Sequence, residues 1–308
     1  MRVRDQFTGH TGAVYALVHD RSPGIFLSGS GDGTVVRWDR AAPEKGELLA
    51  RTDQAVFSLC RLLEPDRLVI GGENGDLRVI DLSQRRELQL LRFHRKGIFR
   101  IVVLPGERIA CAGGDGVLSV WSCPTLGQPH SELTLLRSIP LIEDKLRDIA
   151  LRPTGEQIAV ACGDSTVRIL ETMGFNELHT IEGHERGATA VAWHPLKPVL
   201  ITGGKDGHLR FWHAEEGFRS LRSIAAHRST IYRIVFDAEG AHCMTTSRDK
   251  TAKLWTADAF EPIARLDRRM GGHALSVNDA IWMDDDPITA GDDRRVVRWT
   301  EQAPPPKA

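Results

Sequence analysis

Several signals are missing from this sequence of 308 residues. No run of about 18 apolar residues is present, so no membrane-spanning segment is expected. The first residues, Met1–Gln6, include no apolar stretch, so no secretory signal is expected. Neither sign of charge is in excess, because 40 Lys and Arg residues stand against 41 Asp and Glu residues. The basic excess that is typical of nucleic-acid-binding proteins is therefore missing.

Cysteine pairs are missing as well. The five cysteines are odd in number and form no CxxC motif; they are Cys60, Cys111, Cys123, Cys162 and Cys243. This pattern predicts reduced thiols in a cytoplasmic protein rather than a disulfide framework or a zinc site. We accordingly expect no metal and no cofactor.

What the sequence does contain is a motif that recurs seven times. In each copy a polar turn residue precedes an apolar residue by six positions, and successive copies are 41 to 49 residues apart. The turn residues are Asp32, Asn74, Asp115, Asp164, Asp206, Asp249 and Asp293. The apolar residues are Trp38, Ile80, Trp121, Leu170, Trp212, Trp255 and Trp299.

A second marker lies about 20 residues upstream of most turn residues. It is a small residue followed by histidine, as in Gly9-His10, Gly183-His184, Ala226-His227 and Gly272-His273, with a weaker Phe93-His94. Short β-branched and aromatic runs follow it, which predicts strands.

This repeat, with Gly-His early and Trp late, resembles the WD40 repeat family from Arg2 to about Thr300. The resemblance implies an all-β fold, a seven-bladed β-propeller of four-stranded antiparallel blades around a central channel. It also implies that the segment before each Gly-His is the outer strand of the preceding blade. Arg2–Phe7 should therefore pair with the strand that carries Trp299 and close the ring.

The expected domain organisation is one propeller over residues 1–301, followed by a short, disordered, Pro-rich tail at 302–308. The segment Ser122–His130 lengthens the third repeat and is expected to be a solvated loop.

Four repeats carry a His, a hydroxyl residue, an Asp and a Trp, which in the family are linked by hydrogen bonds from indole to hydroxyl, imidazole and carboxylate. These quartets are His10, Ser28, Asp32, Trp38; His184, Thr202, Asp206, Trp212; His227, Thr245, Asp249, Trp255; and His273, Thr289, Asp293, Trp299. A serine-hydrolase triad also uses Ser, His and Asp, but one active site would not occur four times. The third repeat carries a weakened set with Cys111 in the hydroxyl position. The second and fourth lack the His and should rely on apolar packing.

The resemblance also points to a surface around the channel. The position five residues after each His, and the aligned positions of the other repeats, should face the channel opening; they are Tyr15, Phe57, Phe99, Arg147, Thr189, Tyr232 and Asn278. The residues before the turn residues should add charge to the same face, through Glu73, Lys205, Arg248 and Asp292. Aromatic residues and Arg are typical of interface hot spots. The alternative is that the aromatic residues only pack between blades.

These observations predict a non-catalytic scaffold that binds a protein or peptide partner on this face, as a monomer or as a subunit of a hetero-complex, and that binds neither nucleic acid nor membrane. No catalytic residue is predicted. Two alternatives stay open. One is an enzyme that uses the channel, such as a lactonase-like hydrolase. The other is a reader of nucleic acid or phospholipid that uses Arg92–Lys96 or the group Arg265, Arg268 and Arg269.

Overall fold

The protein folds into seven separate antiparallel sheets of four strands each. The computed structural model describes residues 1–63, 66–123 and 132–301. The predicted all-β propeller with seven four-stranded blades is confirmed. The predicted tail at 302–308 and most of the predicted loop at 122–130 lie outside the described residues. Among the described residues, the only helical element is one 3-10 turn, Arg268–Met270, and no helix is long and apolar enough to cross a membrane.

The strands follow one another in chain order within each blade. Blades one and two contain β2 Val14–His19, β3 Ile25–Ser30, β4 Thr34–Asp39, β5 Gly46–Arg51, β6 Val56–Leu62, β7 Arg67–Gly72, β8 Asp76–Asp81 and β9 Arg86–Arg92. Blades three and four contain β10 Ile98–Leu104, β11 Arg108–Gly113, β12 Val117–Ser122, β13 Thr134–Pro140, β14 Leu146–Leu151, β15 Gln157–Cys162, β16 Thr166–Glu171 and β17 Glu177–Glu182.

Blades five and six contain β18 Ala188–Trp193, β19 Val199–Gly204, β20 His208–His213, β21 Arg219–Ala225, β22 Ile231–Phe236, β23 His242–Ser247, β24 Ala252–Thr256 and β25 Pro262–Leu266. Blade seven contains β26 Val277–Met283, β27 Asp286–Gly291, β28 Arg295–Thr300 and, from the start of the chain, β1 Arg2–Thr8.

The tight turn between the second and third strands of each blade explains why the turn residue and the apolar residue are six positions apart in every repeat. The residue after the turn residue adopts positive φ, which costs glycine little, as at Gly33 (78°) and Gly207 (76°). Ser165, Lys250 and Arg294 hold the same left-handed place in other blades, at 83°, 71° and 67°. The turn therefore sets the distance from the turn residue to the buried apolar residue of the third strand.

Burial changes from the channel to the circumference. The first strands of neighbouring blades contact one another around the channel. The second strands are nearly wholly buried, as in β11 and β19, whereas outer strands such as β13 and β21 are largely exposed. The core is therefore not a single centre. It consists of seven hydrophobic clusters among the described residues, each between two neighbouring blades.

The chain start closes the ring, as predicted. β1 pairs with β28 in antiparallel register from Arg2 opposite Thr300 to Thr8 opposite Arg295. Phe7 is 1% exposed, and its ring meets those of Phe26 and Trp38 edge-on, at 5.0 and 5.7 Å between centroids. β1 thus completes blade seven and also packs against blade one.

Candidate functional site

In five of the blades a buried chain of hydrogen bonds fixes a loop on the face that carries the predicted site. In blade one the Trp38 indole N–H donates to Ser28 Oγ (2.7 Å), and this oxygen lies 2.7 Å from His10 Nε2. His10 Nδ1 lies 3.2 Å from Asp32, which also accepts the Thr11 backbone N–H at 2.7 Å. All polar groups are satisfied if Nε2 accepts from the hydroxyl and Nδ1 donates to the carboxylate.

The surroundings keep the imidazole neutral and the carboxylate ionised. Burial lowers the pKa of His10, although Asp32 opposes this shift. Burial would raise the pKa of Asp32, but hydrogen bonds from Thr34 and Thr11 outweigh it and hold that pKa well below its usual value. The quartet therefore anchors a loop of the fold, and the Ser28 hydroxyl oxygen already accepts a hydrogen bond from the Trp38 indole.

The same chain of bonds is present in three further blades. It joins His184, Thr202, Asp206 and Trp212; His227, Thr245, Asp249 and Trp255; and His273, Thr289, Asp293 and Trp299. Blades two and four hold apolar residues in its place, namely Ile70, Ile80, Val160 and Leu170, all buried.

Blade three corrects a prediction. Its network is complete, because Ser119 Oγ lies 2.8 Å from His94 Nε2 and accepts the Trp121 indole N–H at 2.8 Å. His94 Nδ1 lies 3.0 Å from Asp115. The prediction of a weakened network, with Cys111 in the hydroxyl position, is therefore wrong. Ser119 faces Cys111 directly across the ladder between β11 and β12, so the hydroxyl comes from the neighbouring strand.

The predicted channel-facing residues share one backbone feature. In every blade the pairing of the first and second strands skips one residue, as between Val14 and Ala16 in blade one. The skipped residues are Tyr15, Phe57, Phe99, Arg147, Thr189, Tyr232 and Asn278. Such bulges redirect side chains and recur beside functional sites. These are the same seven positions that the sequence selected.

The seven side chains meet at one end of the channel, where they enclose a cavity of about 480 Å³. We call this surface the channel mouth; it consists of Tyr15, Phe57, Phe99, Arg147, Thr189, Lys205, Thr230, Tyr232, Arg248, Asn278 and Asp292. Glu73, which was predicted to join it, is exposed but does not line the cavity. Thr230 also lines the cavity, but it was not predicted from the sequence. It is a β-branched residue directly before the first strand of blade six, where blades one to three have Ala13, Ala55 and Gly97.

Aromatic side chains form a continuous row over blades one to three of the channel mouth. Tyr15 meets Phe57 edge-on at 5.3 Å between centroids, and Phe57 stacks on Phe99 at 5.5 Å and 13°. The Arg147 guanidinium of blade four lies 4.7 Å from the centre of the Phe99 ring. Because these residues are only half-buried, the row offers apolar surface to a ligand as well as contacts between blades.

Two polar residues of the channel mouth also join neighbouring blades. Asn278 Nδ2 donates to the Val14 carbonyl at 2.9 Å and to Asp292 at 2.8 Å. Thr189 Oγ1 donates to the Ile231 carbonyl at 2.6 Å. These contacts hold the bulges of adjacent blades at fixed spacing.

Below the channel mouth the residues that follow the bulges bring charge into the channel. Asp148 lies 3.4 Å from Arg100 and 3.3 Å from Arg233, and Asp279 lies 3.2 Å from Arg233. Each carboxylate also accepts a backbone N–H of the next blade, at Val191 (3.1 Å) for Asp148 and at Leu17 for Asp279.

These four charges were not predicted from the sequence. Their signal was a charged residue inside an otherwise apolar strand, one position after the predicted channel residue. Within the part of the chain that the structure describes, no group of three His, Cys, Asp or Glu side chains is placed to hold a metal ion.

The opposite end of the channel opens into a larger cavity of about 690 Å³, which was also missed. Its walls include His19, Phe236, Trp282 and Asp284. Burial lowers the pKa of His19, against the charge of Asp284.

Known proteins and a family model resemble this chain. The family model "WD domain, G-beta repeat" matches residues 2–39, 175–213 and 218–256. Each match runs from the outer strand of one blade through the third strand of the next, and each ends at the residue that follows a quartet Trp. The chain contains WD40 repeats within a seven-bladed propeller. The repeats of blades one, five and six, which carry full quartets, are the ones that match.

Curated and solved proteins resemble this WD40-repeat chain at low identity. "Protein hir1" of Schizosaccharomyces pombe is 26% identical over 195 residues, which are 55% of this chain and 21% of that protein. "Serine-threonine kinase receptor-associated protein" of Gallus gallus is 24% identical over 255 residues, 81% of this chain and 68% of that protein. The crystal structure of the WD40 beta propeller domain of Doa1 superposes with a TM-score of 0.83 at 18% identity, over 98% of this chain and 97% of that domain. The chain therefore spans about a fifth of the length of the fungal relative.

Proposed function

We propose that this WD40-repeat propeller is a non-catalytic scaffold that binds a protein or peptide partner at the channel mouth. The observation that carries the proposal is the set of seven bulges, which turn four aromatic residues, an arginine and two polar residues toward one opening. Aromatic and Arg side chains on a rigid frame are typical of interface hot spots. The chicken relative is named for its association with a serine-threonine kinase receptor, which supports a role in protein binding.

The enzyme alternative has its best candidates in Asp148 and Asp279 of the channel. Each of these carboxylates accepts a backbone N–H from the neighbouring blade and contacts an arginine. These contacts support a structural role for both aspartates and a scaffold rather than a hydrolase.

The nucleic-acid and phospholipid alternative would use the arginines near the 3-10 turn. Arg265 lies 3.5 Å from Asp267, which also caps that turn, so part of the cluster is neutralised. The near-zero net charge of the whole chain also favours a protein partner.

Five buried, free cysteines support a reducing compartment such as the cytoplasm.

The test is affinity capture from the native host, comparing the wild type with Y15A/F99A/Y232A. We expect the triple variant to lose the partners that mass spectrometry identifies with the wild type. The matched control is L135A/L221A/I263A, which removes three exposed apolar side chains from outer strands. Circular dichroism checks that both variants are folded. A folded channel-mouth variant that keeps every partner contradicts this function of the channel mouth.

A further inference from the structure

The channel mouth is electrostatically two-sided. Arg147, Lys205 and Arg248 belong to the consecutive blades four, five and six, and together we call them the cationic arc. Within the described residues none of these three forms an ion pair, although arginines elsewhere, such as Arg61 and Arg298, are paired with aspartates. The cationic arc therefore offers charge to a ligand, although Asp144, in the loop before β14, acts on the charge of Arg147 without pairing with it directly.

Two further acidic groups of this face lie in blades seven and two. Asp292 of blade seven is held by Asn278, and Glu73 belongs to blade two. Burial raises the pKa of the Tyr15 hydroxyl, and the charges of Asp292 and Glu73 raise it further, so both acids lie near Tyr15 of blade one. Neither acid pairs directly with a member of the cationic arc in the described part of the chain, although Asp292 and Arg248 both act on Tyr232.

The aromatic arc, which we define as Tyr15, Phe57 and Phe99, belongs to blades one to three, between Asp292 of blade seven and the cationic arc of blades four to six, and it shares blade two with Glu73. An aromatic group next to acids can hold a cation, as in cages for alkylated lysine. Here Phe99 is flanked by Phe57 from one neighbouring blade and by the Arg147 guanidinium from the other. The protein thus supplies its own cation to the aromatic arc, and a second cation would be repelled by Arg147.

We propose that the channel mouth recognises an acidic peptide segment that carries an aromatic or aliphatic anchor residue. The anchor packs on the aromatic arc, and Asp or Glu side chains of the same segment pair with the cationic arc. Complementary charge sets orientation and partner choice, while the buried anchor supplies most of the affinity. This inference rests on the proposed function and specifies the chemistry of the partner.

The test is selection of a random peptide library displayed on phage against the full chain. Enriched peptides are synthesised with a fluorescent label, and their affinities are measured by anisotropy at low and high salt. We expect enrichment of Asp and Glu within a few residues of Trp, Phe or Leu. We also expect binding to weaken by about tenfold in R147Q/K205Q/R248Q, because lost charge complementarity at an interface slows association and weakens pairing.

The matched control is R86Q/R92Q/R137Q, which removes three exposed arginines from the outer strands of blades two and three. Its affinities should stay within about twofold of the wild type, because distant exposed charges are screened. If the R147Q/K205Q/R248Q protein does not fold, K205Q/R248Q replaces it, because Arg147 is the member that packs on an aromatic ring.

The possible outcomes separate the two proposals. If the enriched peptides are neutral or basic but their binding still requires the aromatic arc, the proposal of an acidic segment is overturned. The proposed scaffold function is then left intact. Equal loss in the cationic-arc variant and in the outer-strand control also overturns it. Failure to enrich any peptide whose binding requires the channel mouth contradicts the proposed function itself.

Discussion

Ser119 Oγ lies 2.8 Å from His94 Nε2, but Ser119 belongs to the third strand of its blade, whereas Ser28, which makes the same bond with His10, belongs to the second strand. In blade one the hydroxyl belongs to the second strand, at Ser28, and Val36 faces it across the ladder. In blade three the second strand has Cys111 at this position, and the hydroxyl belongs to Ser119, which faces it on the third strand. Side chains directly opposite in a ladder are close neighbours on one face, so the hydroxyl reaches the same imidazole from either strand.

Removing the hydroxyl of Ser119 should therefore destabilise blade three. We expect Ser119→Ala to lower the free energy of unfolding by about 1–3 kcal/mol, because the buried Trp121 indole N–H and His94 lose their shared partner. Chemical denaturation monitored by tryptophan fluorescence measures this change.

The exchange of roles also predicts a rescue. Adding Cys111→Ser to Ser119→Ala restores a hydroxyl in the place that Ser28 occupies in blade one, so part of the lost stability should return. Cys111→Ser alone should give no comparable gain, since the network is already complete. A double variant no more stable than Ser119→Ala would contradict the equivalence of the two strands.

The sequence allowed prediction of the blade count, the ring closure and the seven bulge residues of the channel mouth, because each depends on a spacing that repeats. The bulge residue, for example Tyr232, lies at a fixed distance from the quartet His of its own blade. The physical reason for its orientation, a skipped pairing in the first strand, becomes visible only in the structure.

Features that depend on cross-strand or cross-channel neighbours could not be predicted in this way. The serine of blade three acts through its partner on the adjacent strand, and Arg233 contacts Asp148 although they are 85 residues apart. A repeat pattern gives positions within one blade but not the contacts between blades. Cys111 therefore suggested a weakened network, and the channel charges were missed.

Closure of the ring by β1 should depend on one aromatic anchor. We expect Phe7→Ala to lower the free energy of unfolding by about 3–5 kcal/mol, the cost of truncating a buried phenylalanine. Phe7 is 1% exposed and packs on Phe26 and Trp38 of blade one. The control is Thr8→Ala at the exposed end of the same strand, which should change stability by less than about 0.5 kcal/mol. Deletion of residues 1–8 should lower the melting temperature further, and an unchanged value would disprove closure by β1.

Two residues of the channel mouth should differ in their effect on stability. Asn278→Ala should cost about 1–3 kcal/mol, because the Val14 carbonyl and Asp292 lose their donor. Lys205→Ala should change the free energy of unfolding by less than about 0.5 kcal/mol, since this side chain forms no ion pair within the described part of the chain. Urea titration of both variants checks this contrast. Equal losses in both would mean that the cationic arc also supports the fold.

The channel aspartates should give the protein a distinctive pH dependence. Burial raises the pKa of Asp148 to about 7, against the favourable charge of Arg100, and raises the pKa of Asp279 to about 6. An aspartate in the unfolded chain has a pKa of about 3.9. Between about pH 4 and pH 7 the folded state therefore holds more protons at Asp148 than the unfolded state does, so this residue's contribution to stability falls as the pH rises and levels off above about pH 7.

Asp148→Asn removes that titration while keeping an oxygen that can accept the Val191 N–H. We expect the free energy of unfolding of the wild type, minus that of the variant, to decrease steadily from about pH 4 to about pH 7 and then to stay constant. Taking the difference cancels the opposite slope of His10 and of the other quartet histidines whose pKa burial lowers. The control is Asp53→Asn at the surface, for which the difference should not change over this range. A difference for Asp148→Asn that is flat between these two pH values would show that its carboxylate stays ionised beside Arg100 and Arg233, and that the two arginines outweigh burial.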